Sequence, residues 1–116
     1  MTPEAFHALA LSMPAATMDL QWGADQVYKV GGKMFAVLGP NGTASFKAND
    51  VAFEMLCETG AGRPAPYMAR AKWVFFDNLA ALSDAEWRSY LSTAHELIAA
   101  KLTRKARAEL GLVRRP

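Results

Sequence analysis

Apolar positions recur along this chain with two different periods, and the points where the period changes mark its elements. Phe6, Leu9, Ala10 and Met13 fall at helical spacing behind Thr2-Pro3-Glu4, a hydroxyl, a proline and an acid in the order that opens a helix, and Pro14 ends the run. From Gln26 to Lys47 the chain reads QVYKVGGKMFAVLGPNGTASFK. Here three short apolar runs, 27–30, 34–38 and 44–46, are cut by Gly31-Gly32 and by Pro40-Asn41-Gly42, which predicts a three-stranded antiparallel meander. Residues 14–25 read as a connector. Asn49 or Asp50 caps a short helix with Val51, Met55 and Leu56 expected inward, ending at Gly60. The glycine- and proline-rich stretch 60–72 reads as a loop, and Trp73-Val74-Phe75-Phe76 as a buried strand. Ser83-Asp84-Ala85-Glu86 is a capping box, behind which Trp87, Leu91, Ala94, Ile98 and Leu102 form one stripe. Thr103 caps a last helical piece that stops at Gly111.

The predicted order is α-β-β-β-α-β-α-α, an α+β fold. Amphipathic helices must bury a stripe and a sheet must bury a face. The expected architecture is therefore two-layered, an antiparallel sheet with helices packed on one side. Residues 1–110 are read as a single domain and 111–116 as a basic C-terminal tail.

Composition narrows the function classes. A chain of 116 residues with 52% hydrophobic and 21% charged content is one ordinary globular domain. No apolar run approaches the roughly 20 residues of a membrane span, and the first residues lack a signal-peptide pattern. The one cysteine, Cys57, excludes an internal disulfide and suits a cytoplasmic location. Of 13 bases and 11 acids, six bases and one acid lie in residues 101–116, which leaves a mildly acidic body and a basic C-terminal segment. Such a segment is either a polyanion-binding arm or a solvated helix end.

Catalytic patterns do not emerge. His7 and His95 stand in no metal-ligand spacing, and His95 lies beside a core stripe. Cys57 has no basic neighbour in sequence to stabilise a thiolate. Gly60-Ala61-Gly62-Arg63 follows a helix instead of preceding one, so no helix dipole points at an anion there. Asp77-Asn78 is explained by turn chemistry, and Asp50, Glu54 and Glu58 by a solvated helix face. The chain reads as a non-enzyme with no cofactor and no metal.

What remains is basic. Alternation puts Lys29 opposite Tyr28 and Val30, and Lys47 opposite Ala44 and Phe46, so both lysines face away from the helices. Arg70 and Lys72 point the same way if the last strand begins there, with Trp73 beside them. Two readings are open: phosphate contacts with some stacking, or strand lysines that guard a sheet edge.

The run 26–36, then Ser45-Phe46-Lys47, Pro64-Ala65-Pro66-Tyr67-Met68, Lys72-Trp73-Val74 and Lys101-Leu102-Thr103-Arg104-Lys105 together resemble, in order, the motifs of the MmcQ/YjbR family. The resemblance implies a small cytosolic bacterial protein with a "double wing" fold, similar in architecture to frataxin-like proteins and thought to bind DNA. Carried over residue by residue, it points to Lys29, Lys33, Lys47, Lys72 and Trp73. The basic pattern adds Arg70, Arg104 and Lys105. Thr103 stands where the family pattern expects proline, which leaves the helix free to run on. The function expected is DNA binding through the phosphate backbone with little sequence preference. The alternative is a protein-interaction or small-ligand module that uses a surface formed by Trp22, Tyr67 and Trp73.

Overall fold

A computed structural model describes residues 1–66 and 68–112. Helix α1 (Pro3–Leu11) starts where Thr2 accepts the Ala5 N–H at 3.1 Å. Strands β1 (Ala16–Gln21), β2 (Asp25–Val30), β3 (Lys33–Leu38) and β4 (Ala44–Lys47) follow as an antiparallel meander. Gly31 and Gly32 make the β2–β3 turn at φ 59° and 81°, left-handed backbone that glycine adopts without a Cβ penalty. Helix α2 (Asp50–Glu58) is capped by Asn49, whose Oδ1 accepts from Ala52 at 2.8 Å. Strands β5 (Arg63–Pro64) and β6 (Trp73–Phe76) complete a six-stranded antiparallel sheet in the order β1-β2-β3-β4-β6-β5. Helix α3 (Asp84–Ala99) opens with the full Ser83/Glu86 capping box, and α4 (Arg104–Glu109) closes the described chain.

The α+β class and the one-sided helix layer hold, and the sheet is larger than the sequence pattern predicts. Residues 16–21 form an edge strand, not a connector. Its sequence ATMDLQ holds only half-buried and exposed positions, because β2 flanks it on one side alone. Within the 60–72 loop, Arg63 and Pro64 pair with Phe75 and Val74. A two-residue edge strand carrying proline gives no periodic signal. In α2 the inward residues are Ala52 and Leu56, with Phe53 packed beside them, whereas Val51 is 77% and Met55 47% exposed. At Thr103 the helix breaks: α3 ends at Ala99, and the Thr103 hydroxyl accepts from Ala106 at 3.0 Å to start α4.

The main core lies between sheet and helices. Phe6, Tyr28, Val30, Phe35, Phe46, Val74, Phe76, Trp87 and Leu91 are all fully buried there. A bulge between Tyr28 and Lys29 sends both Phe35 and Ala36 into it. A second, smaller cluster (Val27, Val37, Ala65 and Trp73, with Met34, Met68 and Phe75) covers part of the opposite face, where the segment after β5 folds back over the sheet.

Gly62 is a close-approach site, since a Cβ there would stand 2.5 Å from Val74 Cγ1 and 2.9 Å from Phe76 Cε2. Gly62→Ala should therefore overpack the β5–β6 edge and cost about 1–3 kcal/mol in urea unfolding. An unchanged midpoint would contradict this packing.

Candidate nucleic-acid interface

The strand register carries basic residues from distant parts of the sequence to one end of the sheet. The β2–β3 turn lies at that end, with exposed Lys33 just after it. Lys47 is the last residue of β4 and pairs with Trp73, the first of β6. Lys72 immediately precedes β6 in left-handed backbone at φ 62°, and its ammonium lies 5.0 Å from the centre of the Phe53 ring. The Lys47 ammonium donates to the Ala71 carbonyl. Its pKa is pushed down, first by burial and then by the charges of Lys101 and Lys72, with Asp50 opposing. These couplings make Lys47, Lys72 and Lys101 electrostatic neighbours. Leu102 packs on the hairpin turn so tightly that a Cβ on Gly31 would meet it at 2.6 Å. That contact brings the start of α4, with exposed Arg104 and Lys105, to the same end.

Arg70 and Lys72 do not share an extended segment. Arg70 sits exposed in a 3-10 turn, Ala69–Ala71, and Lys72 caps it. The turn is what lets Lys72 reach over Phe53 while Ala71 receives Lys47. Lys29 faces away from the helices as alternation requires, but its ammonium is 3.1 Å from Asp19 Oδ2. Trp73 is 4% exposed beneath Ala65 and Met68, so it supplies packing at this end and offers solvent no stacking face. Tyr67, Arg114 and Arg115 lie outside the described residues.

The helix-free face also holds a cleft of about 170 Å³ toward the other end of the strands. Trp22 and Met68 stand at its sides, Val37 and Phe75 form its floor, and Asp25, Thr43 and Ser45 bring polar side chains to its lining. Trp22 is the aromatic residue most open to solvent among those described, at 65%.

A family model described as YjbR matches residues 11–97. The chain belongs to the YjbR family. Its fold is similar to that of the Deinococcus radiodurans protein DR2400, a DUF419-domain protein of known crystal structure. The TM-score is 0.84 at 20% identity, over 97% of this chain and 89% of that one. No curated protein sequence matches the chain. The segment matched to YjbR contains Lys29, Lys33, Lys47, Arg70, Lys72 and the whole cleft lining. Lys101, Arg104 and Lys105 lie beyond it.

Other titratable groups of this YjbR protein are engaged structurally. His95 is buried with Nε2 2.7 Å from the Pro14 carbonyl and its ring edge-on to Phe35. Burial pushes the Cys57 thiol pKa up, the opposite of nucleophile activation. Arg63 pairs with Asp77 at 2.9 Å, and its guanidinium also covers the Phe75 ring. The Tyr28 hydroxyl donates to Gln26 Oε1 at 2.8 Å and lies 2.8 Å from His7 Nδ1, which is 3.1 Å from the same Gln26 oxygen. With a proton on Nδ1, the His7 N–H is shared between the tyrosine hydroxyl oxygen and Gln26 Oε1.

Burial pushes the Tyr28 pKa from 10.0 up to about 12. Between those values the unfolded chain has released this proton and the folded chain has kept it, so stability falls as pH rises across that window. Tyr28→Phe removes the effect. Melting curves taken through this range should fall more steeply with pH for the wild type than for the variant, and parallel slopes would refute the assignment.

Proposed function

We propose that this YjbR-family protein is a cytoplasmic nucleic-acid-binding module, with DNA as its expected partner, and that it acts by binding and not by catalysis. One observation carries the reading: Lys33, Lys47, Lys72, Lys101, Arg104 and Lys105, from five separate elements or turns, converge on one end of the sheet. Like charges held together repel unless an anion joins them, and a phosphate backbone supplies anions at regular spacing. Arg70, on the adjoining turn, extends the row.

Phosphate contacts position a protein without reading sequence. Among the described residues no helix presents Arg, Asn and Gln together, so sequence preference should be slight. With four to six contacts, affinity for duplex DNA should fall about 10²- to 10³-fold between roughly 50 and 200 mM salt.

Fluorescence anisotropy of a labelled random-sequence duplex, titrated across that salt range, tests the proposal. Lys33, Arg104 and Lys105 are exposed, so the triple alanine variant should keep its melting temperature. It should bind at least about tenfold more weakly at low salt and reduce the salt slope by about 3. Folded wild-type protein that leaves the anisotropy flat at low salt would remove duplex DNA as the partner.

A further inference from the structure

Trp22 holds a conformation that its side chain does not favour. It opens the three-residue turn Trp22-Gly23-Ala24 between β1 and β2 at φ 51°, and Gly23 follows at φ 93°. Two successive left-handed residues are the chemistry of Asn-Gly or Gly-Gly turns, and a bulky residue in the first position is strained. The strain brings no burial, since the indole is 65% exposed. It does make the indole one wall of the cleft on the helix-free face.

The dimensions and lining of that cleft define an occupant. Its volume of about 170 Å³ is close to the roughly 150 Å³ of apolar cavity that takes a single benzene ring. Val37, Phe75 and Met68 supply apolar contact, and Trp22 supplies a face for stacking. Asp25 offers a carboxylate acceptor, and Thr43 and Ser45 bring hydroxyls that both donate and accept. A planar ring bearing an exocyclic amino group and ring acceptors matches this set. Ser45 and Lys47 project from the same face of β4 two residues apart, about 7 Å along the strand. The cleft and Lys47 therefore share the helix-free face, the cleft lying toward the other end of the strands.

We propose that the Trp22 cleft takes one unpaired nucleobase, stacked on the indole, from a single strand whose phosphates run past Lys47 toward Lys72 and Lys101. This rests on the phosphate-binding reading and sharpens it. A base inside a duplex is paired and stacked and cannot enter, so the preferred ligand is single-stranded. Asp25 repels phosphate and accepts from the amino group of the base, which orients the strand with its backbone toward the lysines.

Two measurements separate this proposal from the one it rests on. Adenosine and cytidine, which carry no phosphate, are titrated into ¹⁵N-labelled protein. A labelled single strand of about 12 nucleotides and the matching duplex are titrated by anisotropy. The variants are Trp22→Asn, which suits the left-handed turn, and Trp22→Phe, which keeps an aromatic face. Millimolar nucleoside should shift the Trp22 indole N–H and the Thr43 and Ser45 amides, with the amide shifts absent in Trp22→Asn. Trp22→Asn should bind the single strand about tenfold more weakly, leave duplex affinity unchanged and keep its melting temperature, and Trp22→Phe should recover most of the loss. Nucleosides that shift nothing, with Trp22→Asn binding the single strand like wild type, overturn the proposal even if duplex binding persists. Shifts caused by tetramethylammonium and not by nucleosides also overturn it and assign the cleft to organic cations. Nucleoside shifts without binding of either oligonucleotide would keep the cleft assignment and overturn the phosphate reading.

Discussion

Trp87 sets its indole against Phe6, Phe46 and Phe76, with ring centroids 5.6, 5.9 and 5.0 Å away, and donates its N–H to the Leu79 carbonyl at 2.8 Å. Three aromatic contacts and a buried hydrogen bond fix both the depth and the rotation of α3 on the sheet. Tyr90 stacks on Phe46 one turn further along. With α3 held at this end, its stripe of Leu91, Ala94 and Ile98 runs the length of the sheet and delivers Leu102 onto Gly31. The placement of Lys101, Arg104 and Lys105 beside the hairpin is thus a consequence of aromatic packing about four helical turns away.

The two faces of the sheet are treated differently, and the difference makes both candidate sites. On the helix side, Tyr28, Val30, Phe35, Ala36, Phe46, Val74 and Phe76 are fully buried. On the other side, among the described residues, only the segment after β5 returns, pinned by Ala65 N–H to the Trp73 carbonyl at 2.9 Å and by Ala48 N–H to the Lys72 carbonyl at 2.9 Å. That return buries Trp73, turns Lys72 back over Phe53, and stops short of the β1–β2 turn. The Trp22 cleft lies in the uncovered part of the face.

Most of this fold can be read from side-chain periodicity and caps. Thr2, Asn49, Ser83 and Thr103 all cap the helices they precede, and the alternation of Tyr28, Lys29 and Val30 assigns the sheet faces correctly. The gaps have physical causes. Strand β1 is an edge whose pairing comes from backbone hydrogen bonds with little burial, so its composition carries weak pattern. In α2, Val51 and Met55 are apolar yet outward and mislead any reading from hydrophobicity. The basic residues were visible individually. Their convergence was not, because it depends on Leu102 meeting Gly31 and on a left-handed Lys72, contacts between residues far apart in sequence. Trp22 gave a signal in its unusual pairing with Gly23, yet the cleft behind it needs Met68 and Phe75, which only the folded chain places there.

The basic end is arranged at a cost to the free protein. Lys47 is partly buried and hemmed by Lys72 and Lys101, and all three effects disfavour its charge. A lysine whose folded pKa lies below its unfolded value binds its proton less tightly in the native state, so below that folded value the charged form weakens the fold. Asp50 offsets part of this. A structure selected only for stability could relieve the rest by replacing any one of the three lysines. An anion docking among them reverses the sign, since the same proximity that costs energy in the free state becomes attraction once a phosphate lies between the ammonium groups. By linkage, such a ligand stabilises the fold by as much as the fold favours the ligand. On the proposed function, the repulsion at this end of the sheet is one half of a binding interaction.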